Sequence, residues 1–228
     1  MKHVYCLLLI ILPVYVFSQQ DSTSTKAQKN KHEKNSGSSL GIGIKAGLNF
    51  TNIKSASNVS NSSETGYQVG LFLDPKSRSI LGSRTEVVYS HQAYNYSTGS
   101  TTGTVYLNYL MLAQLMAINI THFVQIQIGS QIAYLMNAKS DSSGQSTGNA
   151  YADKFLSYYN RFDFGFSGGL EVRPYLGLLV GARYNISLTN LYKTPSSSGS
   201  NPTPPNIPSS GDVNFKNNVV QIYVGYRF

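Results

Sequence analysis

The sequence predicts an all-β protein: a closed, antiparallel, up-and-down transmembrane β-barrel of about eight strands. Three observations lead there. Only 12% of the 228 residues are charged, about half the usual share, yet mean hydropathy is only -0.18. From residue 40 onward, apolar and polar residues alternate with a period of two in segment after segment. The connections between those segments alternate between long and short. A soluble domain usually keeps a charged surface, and a helical membrane protein shows long apolar runs. A membrane barrel needs neither, because only every second strand residue faces lipid.

The first 39 residues are read separately. Lys2 and His3 precede an apolar stretch at 4–16, interrupted by Pro13, and Val16-Phe17-Ser18 suits the cleavage positions. Residues 1–18 are therefore expected to be a secretory signal peptide. The stretch is shorter than the ~20 residues of a spanning helix, and a polar tail follows it, which argues against a membrane anchor. Cys6 falls inside it, so the mature chain would carry no cysteine and no disulfide or thiol chemistry. Residues 19–39 are Ser, Thr, Gln, Asn and Lys with little that is apolar, the composition of a disordered, basic periplasmic leader. It is either a solubilising linker or a contact for anionic lipid and cell wall. Residues 40–228 form the expected barrel domain. The net charge of +8 includes five lysines and two acids from the first 39 residues, and the rest is spread without a patch. Nucleic acid is not an expected partner.

Strand one sets Leu40, Ile42, Ile44, Ala46, Leu48 and Phe50 against Gly41, Gly43, Lys45, Gly47, Asn49 and Thr51. Successive side chains point to opposite faces of a strand, so this separates a lipid face from an interior face. Residues 67–73 alternate too, except that Phe72 joins the polar side. At 80–94 the charges decide: Arg84 and Glu86 must avoid lipid, which sends Thr85, Val87 and Tyr89 outward. Residues 106–116 are apolar on both faces and their register is open. Strand five turns Val124, Ile126, Ile128, Ile132, Tyr134 and Met136 outward, and strand six Phe162, Phe164, Phe166, Leu170 and Val172. Strand seven exposes Leu176, Leu178, Val180, Ala182, Tyr184, Ile186 and Leu188. Strand eight exposes Val220, Ile222, Val224, Tyr226 and Phe228, opposite Val219, Gln221, Tyr223, Gly225 and Arg227.

The expected connections are 53–65 (long), 74–79 (short), 95–103 (long), 119–122 (short), 137–160 (long), 174–175 (short) and 192–214 (long). The long ones are rich in Ser, Gly, Asn and Pro, and the short ones carry turn pairs such as Asp-Pro and Arg-Pro. Such a rhythm arises when every second connection is a periplasmic turn and the others reach outside. An even number of strands then leaves both termini in the periplasm of a Gram-negative cell. Aromatic residues near strand ends, among them Phe50, Tyr67, Tyr134, Phe162, Tyr184 and Phe123, suit the two headgroup girdles.

Gly43-Ile44-Lys45-Ala46-Gly47-Leu48-Asn49-Phe50-Thr51-Asn52-Ile53 resembles the opening strand of the PorT-like outer-membrane β-barrel family. Tyr106-Leu107-Asn108-Tyr109-Leu110-Met111-Leu112 resembles that family's central strand, although a proline often found there is replaced. Gly168-Gly169-Leu170-Glu171, Gly181-Ala182-Arg183-Tyr184 and Gly225-Tyr226-Arg227-Phe228 extend the resemblance to the end of the chain. It implies fold and outer-membrane location, with some relatives associated with protein secretion, and carries no catalytic residues. The closing Val220, Ile222, Val224, Tyr226 and Phe228 also resemble the signal read by the barrel assembly machinery.

The interior of an eight-stranded barrel is just wide enough for side chains to fill. Lys45, Arg84, Glu86, Asp163, Glu171, Arg173, Arg183 and Arg227 all fall on the inward set, and many of their neighbours are glycine, leaving room for arginines along the wall. Lys45, Glu86, Glu171 and Arg183 are expected at similar depth, within a paired network that plugs the lumen, since buried charges need partners. The alternative is a narrow path for ions or small solutes. Catalysis is not expected: His32 lies in the leader, His122 in a turn, and His91 near a strand end with no motif around it. A lipid-modifying hydrolase would have to use His91 with a loop serine. No cofactor and no metal site is expected, for want of ligand spacing. The expected roles are a structural or interaction barrel presenting its long loops to protein partners, or an accessory subunit of a secretion or transport assembly acting through its leader. Outer-membrane lipid is a partner in either case. A soluble, lipocalin-like barrel with its apolar face inward is the rival fold.

Overall fold

The computed structural model describes residues 41–54, 60–75, 80–98, 101–142, 156, 159–191 and 216–228. The expected signal peptide, the leader and most of the long connections lie outside these residues. Eight strands follow in chain order: β1 (Ile42–Lys54), β2 (Ser60–Leu73), β3 (Leu81–Thr98), β4 (Thr101–Asn119), β5 (Val124–Ser142), β6 (Phe162–Tyr175), β7 (Leu178–Ser187) and β8 (Lys216–Arg227). Each pairs antiparallel with the next, and β8 returns to β1 from Gly43↔Arg227 to Lys54↔Lys216, closing the barrel. Closure matters physically. Hydrocarbon offers no partner to an open strand edge, so a spanning sheet has to close on itself.

Alternation decides what faces out. Along β7 every other residue is buried, and the exposed ones are Leu178, Val180, Ala182, Tyr184 and Ile186. The outer surface carries Ile42, Ile44, Leu48, Val69, Leu71, Val87, Leu112, Ile128, Phe164, Phe166, Leu170, Ile222 and Val224, all well exposed. A soluble barrel would bury such a set, so the lipocalin-like arrangement is ruled out by the direction of these side chains. The terminal strand set Val220, Ile222, Val224, Tyr226 and Phe228 lies on the same outer face.

Gly41, Phe228 and the three tightest connections gather at one end of the barrel. Asp74 N donates to Gly41 O (2.7 Å), Phe228 N to Ile42 O (2.9 Å), Arg227 N to Gly177 O (2.7 Å) and Arg173 N to Phe123 O (2.7 Å). The third of these connections corrects the expected turn at 174–175. β6 runs on to Tyr175, the turn is Leu176-Gly177, and Gly177 takes a φ of +81°, a conformation that disfavours any side chain. Leu176, expected on the lipid face of β7, is therefore a turn residue, fully out in the open. Pairing with β7 is irregular between Val172 and Tyr175, where Pro174 has no N–H to donate.

At the other end the strands run further than expected. Thr98 pairs with Thr101, so most of the connection placed at 95–103 is strand. β1 and β2 likewise advance into 53–65, and β5 into 137–160. The sequence of these extensions is mostly Ser, Thr, Asn and Lys, so apolar alternation is silent there while backbone pairing continues. Their lengths differ: β4 and β5 stay paired up to Gly103↔Ser142, whereas β5 and β6 part at Tyr134↔Phe162. The β3–β5 wall consequently rises above the β6–β7 side.

The open register of residues 106–116 is also resolved. Leu107, Tyr109, Met111, Ala113 and Leu115 are buried inside, and Leu110, Leu112 and Met116 face out. The inner apolar residues find company in Val88, Tyr94, Val105, Leu135, Ala138, Leu156, Tyr159 and Leu191. In this cluster the Tyr94 and Tyr159 hydroxyls lie 3.3 Å apart.

Candidate functional site

The chemistry-bearing side chains of this barrel lie in its bore. β3 contributes Arg84 and Glu86, spaced by two and therefore on one face. β1 brings Lys45, β6 Glu171 and Arg173, β7 Arg183 and β8 Arg227. Glu86 accepts hydrogen bonds from Lys45 Nζ (2.6 Å) and from Arg183 Nη1 and Nη2 (2.6 and 2.9 Å). β3 and β7 stand four apart in a ring of eight, so the Glu86–Arg183 pair crosses the full bore. Arg84 bonds Glu171, and its Nε lies 3.7 Å from Glu86. Arg84, Glu86 and Glu171 have no solvent exposure. Removing such charges from water is costly, and the cost is offset here by pairing each with opposite charge and hydrogen bonds.

Neutral groups complete the network. Gln127 donates to Glu171 (3.0 Å) and accepts from Arg183, while the Tyr223 hydroxyl sits 3.2 Å from both Gln127 and Glu171. Two aromatic rings support the cations. Arg84 stacks on Phe72 at 4.0 Å from its centroid, and Lys45 and Arg183 approach the Tyr223 ring at 4.6 and 5.4 Å. Two of the inward glycines make room for these rings, while Gly41 lies beside Arg227 and Gly169 beside Arg183. A Cβ on Gly43 would stand 2.1 Å from Phe72 Cζ, and one on Gly181 2.4 Å from Tyr223 Cζ.

Of the eight charged residues singled out from the sequence, Lys45, Arg84, Glu86, Glu171 and Arg183 meet in this cluster. Arg173 and Arg227 sit at the turn-side mouth, each about one quarter exposed, around a carboxylate the sequence placed in a turn, Asp74. Arg173 also bonds Glu171 (3.0 Å) and Gln125 (3.0 Å). Asp163 stands apart near the other end and accepts from Ser187 Oγ at 2.5 Å. Sequence reasoning missed Asp74, Gln127, Tyr223 and Phe72. For Phe72 the signal was visible, an aromatic ring breaking the alternation on the polar side. The other three looked like ordinary turn or interior residues.

Above the charges the bore is lined with amides and hydroxyls: Asn49 donates to Ser90 (2.9 Å), Asn217 to Gln92 (2.6 Å), and Ser167 Oγ lies 2.7 Å from both Gln131 and Asn185, one of which accepts its proton. His91 faces outward instead, stacked between Tyr67 and Tyr106 at 4.8 and 5.7 Å, with Nδ1 2.6 Å from Asn108 Oδ1. Among the described residues, no three His, Cys, Asp or Glu side chains are grouped to hold a metal.

An oily exterior around a charged, glycine-spaced interior defines a β-barrel built to sit in a lipid bilayer. The chain belongs to the outer membrane protein beta-barrel domain family, whose model matches residues 17–193. That family places it in the outer membrane of a Gram-negative cell. No curated protein matches the chain. Among solved structures it is similar to Ail, the attachment invasion locus protein of Yersinia pestis, at 14% identity over 83% of this chain and 99% of that one, with a TM-score of 0.46. Neisserial surface protein A is similar at 15% identity, covering 82% and 97%, with a TM-score of 0.45. OprG from Pseudomonas aeruginosa is similar at 13% identity, covering 83% and 96%, with a TM-score of 0.41. Likeness at this level transfers no residue roles to this chain.

Proposed function

We propose that this protein is a non-enzymatic outer-membrane barrel whose lumen is plugged by its own side chains, and which acts on protein partners from outside the bilayer. The observation that carries the reading is the Glu86–Arg183 pair, which bridges opposite walls while Lys45, Arg84 and Glu171 fill the same layer without solvent exposure. A bore so occupied leaves surfaces, not a conduit, as the means of action. The taller β3–β5 wall supports an extracellular surface of this kind. In this reading the turn-bearing end and both termini face the periplasm, residues 1–18 direct export and residues 19–39 form a periplasmic leader. The PorT-like resemblance of β1 and β4 belongs to the same proposal.

Planar-bilayer recording of the purified barrel tests it. The wild type is expected to show no steady conductance. Steady conductance in the wild type that shifts on Arg183→Ala would overturn the plug.

A further inference from the structure

We propose that the turn-side mouth of the barrel binds an oxyanion of the phosphate class, held by Arg173 and Arg227 with Arg84 behind them. The starting point is a charge imbalance. Among the described residues, the network holds five cations (Lys45, Arg84, Arg173, Arg183 and Arg227) against three carboxylates (Asp74, Glu86 and Glu171). Two positive charges are thus left without a carboxylate of their own in a network whose members are mostly buried, an arrangement a bound counter-charge would relieve.

The excess divides between two places. Lys45 and Arg183 share Glu86, which leaves one positive charge in that layer. Arg84, Arg173 and Arg227 face Glu171 and Asp74, which leaves one at the mouth. Glu86 is taken up by Lys45 and Arg183, and Glu171 by Arg84 and Arg173. At the mouth, one oxygen of Asp74, Oδ2, faces three guanidinium groups: Arg173 Nη2 at 2.7 Å, Arg227 Nη1 at 3.5 Å and Arg84 Nη2 at 3.8 Å. Only the first two are hydrogen bonds. Arg84 Nε and Nη2 are buried and have no hydrogen-bond partner at all. Nε faces Glu86, so the idle donor on the mouth side is Nη2, and a buried donor left idle beside a shared carboxylate is an unfinished anion site. Arg173 and Arg227 keep roughly a quarter of their side chains exposed, so a solute can enter from the turn-bearing end without disturbing the plug. The planar fork of arginine matches tetrahedral oxyanions with paired hydrogen bonds, and a bound anion would cancel the surplus at the mouth. The site is independent of what the extracellular surface does, and it remains even in a barrel that conducts.

Isothermal titration of inorganic phosphate into the full-length protein in non-ionic detergent tests this, with sulfate and chloride as parallel arms. Saturable, one-to-one binding of phosphate and sulfate is expected, with chloride at least about tenfold weaker. Arg173→Ala/Arg227→Ala should weaken phosphate by about tenfold or more, and Arg227→Lys, which keeps the charge but not the fork, by a smaller factor. Asp74→Asn should tighten binding, because it removes the competing carboxylate; a carboxylate needed only for structure would give no gain. Far-ultraviolet circular dichroism verifies that each variant remains a barrel. Binding that never saturates, chloride competing on equal terms, or an affinity indifferent to Arg227→Lys and the double variant alike would overturn the site.

Discussion

Replacing Glu86 by glutamine strikes the network at its most connected point. Both carboxylate oxygens are in use: Oε2 accepts from Lys45 and Arg183 at 2.6 Å each, and Oε1 accepts from Arg183 at 2.9 Å. Glutamine offers one acceptor oxygen and turns its NH2 toward a donor. At least one charge-assisted hydrogen bond, about 1.5–3 kcal/mol, is lost outright. Two buried cations also lose their counter-charge, which brings the expected cost to about 3–5 kcal/mol. The chain contains no tryptophan, so far-ultraviolet circular dichroism rather than intrinsic tryptophan fluorescence should follow urea unfolding from lipid vesicles. With a denaturant slope near 2 kcal/mol/M, the midpoint should fall by roughly 2 M. Asp163→Asn is the control, because Asp163 accepts from Ser187 and has no cation partner among the described residues, and should cost about 1 kcal/mol. Adding Arg183→Met to Glu86→Gln should recover part of the loss, with a coupling of about 0.5–3 kcal/mol. A Glu86→Gln cost no greater than that of Asp163→Asn, or strict additivity with Arg183→Met, would refute the idea that these charges depend on one another.

Three other substitutions probe the fold by the same unfolding assay. Leu112→Arg, in the middle of the outward apolar set of β4, should destabilise the barrel by about 2–4 kcal/mol through contact with lipid; a cost near zero would mean this face is not lipid-bound. Gly43→Ala brings a methyl within 2.1 Å of Phe72 Cζ and should cost about 1–3 kcal/mol, with the penalty largely removed in a Phe72→Ala background. Gly177→Ala should cost about 1 kcal/mol because its φ is +81°, and an unchanged midpoint would argue that the Leu176-Gly177 turn relaxes freely.

The faces of β1, β6, β7 and β8 were legible because lipid and bore impose opposite demands on adjacent residues. Where only one demand operates, the signal disappears. In β3 the apolar residues alone were ambiguous, and it took Arg84 and Glu86 to point the strand. In β4 both faces are apolar for different reasons, one toward lipid and one toward Tyr94, Leu135 and Tyr159, so no periodicity survives to reveal the register. Toward the far ends of β3, β4 and β5 the sequence is mostly Ser, Thr, Asn and Gly, which hid the outer lengths of these strands and made strand look like loop.

The amino-acid order by itself determined the closed β-barrel architecture, the strand number and the set of charges that must avoid lipid, because these follow from a period of two read locally along the chain. The tertiary structure alone decided which charge meets which. Arg183 reaches Glu86 across 97 positions of sequence and the width of the bore. Asp74 becomes the shared partner of three arginines only because the β2–β3 turn closes beside the ends of β6 and β8. Those meetings depend on the stagger between strands in the closed ring, and stagger is a property of all eight pairings together.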